Sequence, residues 1–121
     1  MKRYFMTVLI GLLMNPVTVL YAEVQATKRI EQFTNSKVKV WQTIIYPTSA
    51  KVLPMHRHDH ERVLVALTDG VLKITNNKGA VHYLKLKKNK AYYLTKDVPG
   101  ELHNDENVSD HPIKVMVIEL N

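Results

Sequence analysis

The chain has 121 residues, 45% of them hydrophobic and 23% charged, with four Gly, five Pro and no Cys. That size and balance fit one small globular domain and exclude disulfides and thiolate metal sites. Seventeen Lys and Arg against eleven Asp and Glu give a net charge of +6, but two of the cations, Lys2 and Arg3, sit directly before an apolar run.

Residues 1–22, MKRYFMTVLIGLLMNPVTVLYA, combine that cationic start with an apolar stretch from Tyr4 to Leu20, interrupted by Asn15 and Pro16, and a small residue at Ala22. This is the plan of a secretory signal peptide. The run up to Met14 is too short to span a bilayer. Export from a bacterial cytoplasm is expected, to the periplasm or beyond, with cleavage after Ala22 or, as the second choice, Ala26. No stable membrane insertion is expected after cleavage, and no lipid anchor, since there is no Cys to carry one. Removing residues 1–22 leaves fifteen cations against eleven acids, about +4. A domain this small without disulfides gains from a second copy, and a homodimer is the simplest expectation.

The segment Glu23 to Thr34, EVQATKRIEQFT, is polar with sparse apolar residues and reads as a short helix or an arm. Residues 23–36 are therefore taken as an N-terminal arm and 37–121 as the folded domain. From Lys37 to Tyr46 the composition turns β-branched and aromatic, Val38 and Val40 alternate with Lys37 and Lys39, and Pro47 closes the run. That is a strand signal. Five further strand-like segments follow: Val63 to Leu67, Val71 to Thr75, Val81 to Leu86, Ala91 to Leu94 and Ile113 to Leu120. Asn76-Asn77-Lys78-Gly79 marks a hairpin turn, and Asp69-Gly70 and Pro99-Gly100 mark two more reversals. No segment after Thr34 sustains a helical period, so the fold class is all-β, a closed barrel or sandwich of short strands. Trp41 and the tyrosines fall at strand positions and are expected to pack, while His82 and His111 read as surface residues. The basic run Lys85 to Lys90 is short, has no interleaved aromatics and reads as a solvated strand end, so no nucleic-acid partner is expected.

The chemistry lies in two segments. Met55-His56-Arg57-His58-Asp59-His60-Glu61-Arg62 carries three His at i, i+2 and i+4, which in extended backbone share one face at intervals of about 6.6 Å. Neutral imidazole is the commonest metal ligand among side chains, and two rings one residue apart can converge on one ion. In Pro99-Gly100-Glu101-Leu102-His103 a tight turn fixes where the next strand begins and so where His103 points, with Asn107 four residues later.

Together the two segments resemble the cupin superfamily of small β-barrels, whose motifs have the forms G-x5-H-x-H-x3–4-E-x6-G and G-x5-P-x-G-x2-H-x3-N. His56-Arg57-His58 matches the H-x-H, Gly70 lies near the closing glycine, and Gly100, His103 and Asn107 match G-x2-H-x3-N. The resemblance covers Val38 to Leu120 and implies a cupin-like antiparallel β-barrel of jelly-roll type with a central small-molecule pocket. It also implies one divalent metal ion, Fe, Mn, Ni or Zn, held by His56, His58 and His103, and oxygenase or isomerase chemistry on a small anionic substrate.

One departure bears on function. The family places a carboxylate or Gln four or five residues beyond its second His, where this chain has Arg62 and Val63. His60, Glu61 and Arg62 are then the candidates for a fourth ligand or a substrate contact. An inward Arg62 is a fixed cation, disfavoured beside a divalent ion unless a carboxylate lies between. It fits the alternative of a metal-free binding module for a small anionic or sugar-like ligand. No catalytic acid or base stands out beyond His60 and Glu61, so turnover is left open.

Overall fold

Alternation of apolar and polar residues decides which face of each strand is buried, and here it sorts two sheets. The computed structural model describes residues 27–47 and 54–121. The expected signal segment 1–22, and Ala26, lie outside the described residues. Among the described residues eight strands occur: β1 (Thr27–Thr34), β2 (Val38–Ile45), β3 (Arg62–Ala66), β4 (Gly70–Asn76), β5 (Val81–Leu86), β6 (Ala91–Leu94), β7 (His103–Asn107) and β8 (Ile113–Leu120). Among the described residues, no helix is long and apolar enough to cross a membrane.

The larger sheet runs β1-β2-β8-β3-β6 and the smaller β5-β4-β7, and the ladders between these strands are all antiparallel. The all-β expectation is met by these two sheets. They are separate ladders, so paired strands do not close them into a barrel among the described residues. The segment read as a helix or arm is instead an edge strand, β1, which pairs from Thr27 opposite Ile45 to Thr34 opposite Lys39. Its residues are mostly exposed, which is why its composition carries so little strand signal.

The core draws on both sheets. Trp41, Ile45, Leu64, Ala66, Ile113, Val115 and Val117 come from the larger, and Leu72 and Leu86 from the smaller. Ile113 and Val115 are the largest fully buried side chains, and each such burial stabilises by roughly 1.5–3 kcal/mol. Gly70 begins β4 against this core. A Cβ there would lie 2.4 Å from Ile113 Cγ1, so close approach, not a turn, requires the glycine.

Asn107 secures the end of β7. It is buried, its Nδ2 donates to the backbone oxygens of Ile45 and His111 at 2.8 Å each, and its Oδ1 accepts from Ser109 N at 2.8 Å. The residue that completes the second sequence motif is thus a structural tie between β2, β7 and the approach to β8.

Candidate functional site

The turn before β7 does what its composition predicts: Gly100 adopts φ +81°, in the left-handed region that glycine tolerates. Beyond it His103 opens β7 as a buried residue and pairs with His56, each backbone N–H donating to the other's carbonyl at 2.8 Å. That bridge brings the two histidine segments together. Ring centroids lie 4.6 Å apart for His56 and His103, 4.9 Å for His56 and His58, and 5.2 Å for His58 and His103. One ligand atom from each lies within 4.8 Å of the other two. Bonds of about 2.1 Å to a common ion would set them roughly 3–3.5 Å apart, within reach of small ring rotations. The three-His cluster is therefore capable of holding a metal ion.

The way the rings are held fits that capability. His103 Nδ1 lies 3.3 Å from Asp97 Oδ2, and His56 Nδ1 lies 3.2 Å from the Pro54 carbonyl. In metal sites an oxygen acceptor on one ring nitrogen fixes the tautomer and frees the other to ligate. Here the other nitrogens, both Nε2, face Asp105: His56 at 3.5 Å and His103 at 3.8 Å. The neighbouring Asp105 carboxylate, helped by the Pro54 carbonyl, raises the His56 pKa, against the lowering effect of burial. Metal and proton therefore compete for His56, since an imidazole ligates in its neutral form.

These side chains line a cavity of about 830 Å³ whose apolar walls include Trp41, Leu64, Leu72 and Val117. Arg62 also lines it. Along β3, Arg62, Leu64 and Ala66 are the buried positions, so strand parity turns Arg62 inward. The side chain is 7% exposed, and among the described residues its Nε and Nη1 are buried without a hydrogen-bond partner. Burial lowers its pKa, while Asp97, Asp105 and Glu119 act to raise it. Of these, Asp97 and Asp105 line the same cavity as Arg62 and the three histidines, and sequence reasoning nominated neither.

His60 and Glu61 lie elsewhere. Both are exposed and neither lines the cavity. Glu61 has the opposite parity to Arg62, and its carboxylate accepts a hydrogen bond from the Tyr93 hydroxyl. His60 fails because the chain from Arg57 to Glu61 is not a strand, so the i, i+2, i+4 alignment does not extend to a third ring. Of the residues not foreseen, Asp105 carried a readable signal: two positions beyond His103 in a strand, it shares that residue's face. Asp97 carried none, since it sits in the connection between β6 and β7.

No protein-family model matches the chain, and no curated protein matches it. Solved structures do. A cupin domain from Bordetella pertussis Tohama I is 25% identical, with a TM-score of 0.68 over 83% of this chain and 98% of that one. An RmlC-like cupin family protein with a double-stranded β-helix fold, from Methanocaldococcus jannaschii, is 11% identical, with a TM-score of 0.58 over 84% and 85%. The cupin domain of an XRE family transcriptional regulator from Enterobacter cloacae is 16% identical, with a TM-score of 0.56 over 78% and 96%. The two-sheet architecture, the paired histidine segments and these likenesses agree, and the chain belongs to the cupin superfamily.

Proposed function

We propose that the protein binds one divalent metal ion through His56, His58 and His103 and holds a small anionic molecule beside it through Arg62. The observation that carries this reading is that a buried guanidinium, two of whose nitrogens have no partner among the described residues, shares a cavity with three convergent imidazoles. A buried donor without a partner costs about 1–3 kcal/mol, more for a charged group, so a carboxylate or phosphate that satisfies it binds favourably. When bound, the metal would supply Lewis acidity and open positions for a substrate oxygen, O₂ or water, the basis of oxygenase or isomerase chemistry. The chain's own part is to orient two rings through Asp97 and Pro54 O, fix the anion with Arg62 and shield both with apolar walls.

A second reading, a metal-free pocket for a small anionic or sugar-like ligand, is favoured by the same inward Arg62 and by the raised His56 pKa. Metal analysis of protein purified without chelator or affinity nickel, followed by titration with small mono- and dicarboxylates, separates the two. About one ion per chain, with carboxylate binding weakened by Arg62→Met, supports the first. Carboxylate binding unaffected by added metal, in protein that retains none, supports the second. We further read the two sheets as walls of a jelly-roll barrel, residues 1–22 as a signal that directs the chain to the periplasm or outside, and the mature form as a homodimer.

A further inference from the structure

The family's first motif supplies a carboxylate that this chain replaces with Arg62, and a three-imidazole set leaves a divalent ion with no charge compensation. Asp105 occupies a place that answers both points. It lies on β7 with its backbone held in the ladder opposite Ile74, two residues beyond His103 and on the same face. Its Oδ2 is 3.5 Å from His56 Nε2 and its Oδ1 is 3.8 Å from His103 Nε2. Hydrogen bonds between a ring nitrogen and a carboxylate run about 2.7–3.2 Å, so neither spacing is that of a good one. Ligand atoms about 2.1 Å from a shared ion in tetrahedral geometry lie roughly 3.4 Å apart, and since the two contacts use different oxygens, a rotation of the carboxylate is needed to present one oxygen to both rings.

The surroundings agree. Each Nδ1 has an oxygen of its own nearby, Pro54 O at 3.2 Å and Asp97 Oδ2 at 3.3 Å, and both Nε2 atoms lie within 3.8 Å of an Asp105 oxygen in the same cavity. The Asp105 side chain is 22% exposed, buried enough to favour pairing with a cation. Arg62 lines the same cavity and raises the charge cost of bringing in an ion, which an anionic ligand offsets.

We propose that Asp105 is the fourth metal ligand, a carboxylate delivered by β7 in place of the one the first motif lacks. The proposal rests on the three-His reading and adds a ligand to it. The chain has no Cys, so a thiol placed at this position has no natural background. Co²⁺ alone is titrated into the full mature chain, its Asp105→Asn variant and its Asp105→Cys variant, with apo melting curves as the control for folding. The expected results are at least tenfold weaker Co²⁺ binding by Asp105→Asn with an altered d–d spectrum, and a near-ultraviolet thiolate-to-cobalt charge-transfer band in Asp105→Cys. Cobalt bound by Asp105→Cys without that band, or a spectrum unchanged in Asp105→Asn whatever its affinity, overturns the assignment and leaves the three-His site standing. Failure of the unsubstituted chain to bind Co²⁺ overturns both.

Discussion

His58 and Asp97 are joined by two hydrogen bonds: the His58 backbone N–H donates to the Asp97 carboxylate at 2.7 Å, and the Asp97 N–H donates to the His58 carbonyl at 2.9 Å. The same carboxylate oxygen lies 3.3 Å from His103 Nδ1. One side chain therefore positions the backbone of one candidate ligand and the ring of another. Asp97→Ala is expected to weaken metal binding by about ten- to a hundredfold, the usual cost of losing a group that orients a ligand. Isothermal titration with Zn²⁺ measures it, and an affinity within threefold of the original would show that the clamp does not matter.

Arg62 yields a prediction of opposite signs. Replacing it with Met removes a cation from the cavity while keeping an unbranched apolar stem. Divalent-metal affinity should rise by at least about tenfold, the 1.4 kcal/mol that removing a like charge several ångströms away exceeds in a protein interior, and carboxylate affinity should fall. Parallel titrations of metal and of a dicarboxylate test this. Both affinities falling together would mean that Arg62 supports the site structurally.

Six of the eight strands were legible because their residues alternate or carry β-branched and aromatic side chains between turns. The two that were not, β1 and β7, fail for different reasons. β1 is an edge with most of its side chains in solvent, so its sequence, TKRIEQFT, reflects water more than the sheet. β7, HNDEN, has no β-branched or aromatic residue; pairing with β4 makes it a strand, and its inward positions carry His103, Asp105 and Asn107. The three-His cluster was legible from H-x-H and the Pro99-Gly100 turn. The inward turn of Arg62 was legible only as a parity, because a single bulge would have reversed it.

Gly70 gives a stability prediction free of any ligand. Gly70→Ala places a methyl against Ile113, which has no exposed surface and so no solvent to move into. Overpacking of this kind costs roughly 1–3 kcal/mol. Urea denaturation should show a lower midpoint with an unchanged slope, whereas an unchanged midpoint would mean that β4 and β8 separate at little cost.

Asn107→Ala should be more damaging than its size suggests. It leaves the carbonyls of Ile45 and His111 and the N–H of Ser109 without their side-chain partner, at roughly 1–3 kcal/mol for each buried group left unsatisfied. Thermal melting of the apo protein reads the loss, and a change within a degree or two would contradict the role given to this residue.

His111 sets a pH dependence remote from the cavity. Its Nδ1 lies 2.8 Å from Asp110 Oδ1 and its Nε2 2.8 Å from the Asp69 carbonyl. The Asp110 hydrogen bond foremost, then the Asp69 carbonyl, raises its pKa above 6.5, while the same contact lowers that of Asp110. A raised folded-state pKa contributes stability that is full below the unfolded value of 6.5 and disappears as pH rises through the folded one. The Asp110 contribution runs the other way, present above 3.8 and lost as pH falls through its lowered folded value, so it stays constant from pH 5 upward. The melting-temperature gap between the protein and His111→Ala should therefore narrow from pH 5 to pH 8.5. A gap that stays constant or widens would contradict the assignment.

Convergence of the two histidine segments on one ion is read by X-ray absorption at the zinc edge of protein loaded with one equivalent of Zn²⁺. The spectrum should carry the multiple-scattering signature of three imidazoles at about 2.0–2.1 Å, with the remaining scatterers oxygen. A shell of oxygen with one imidazole or none, or zinc that washes out before the measurement, would contradict it.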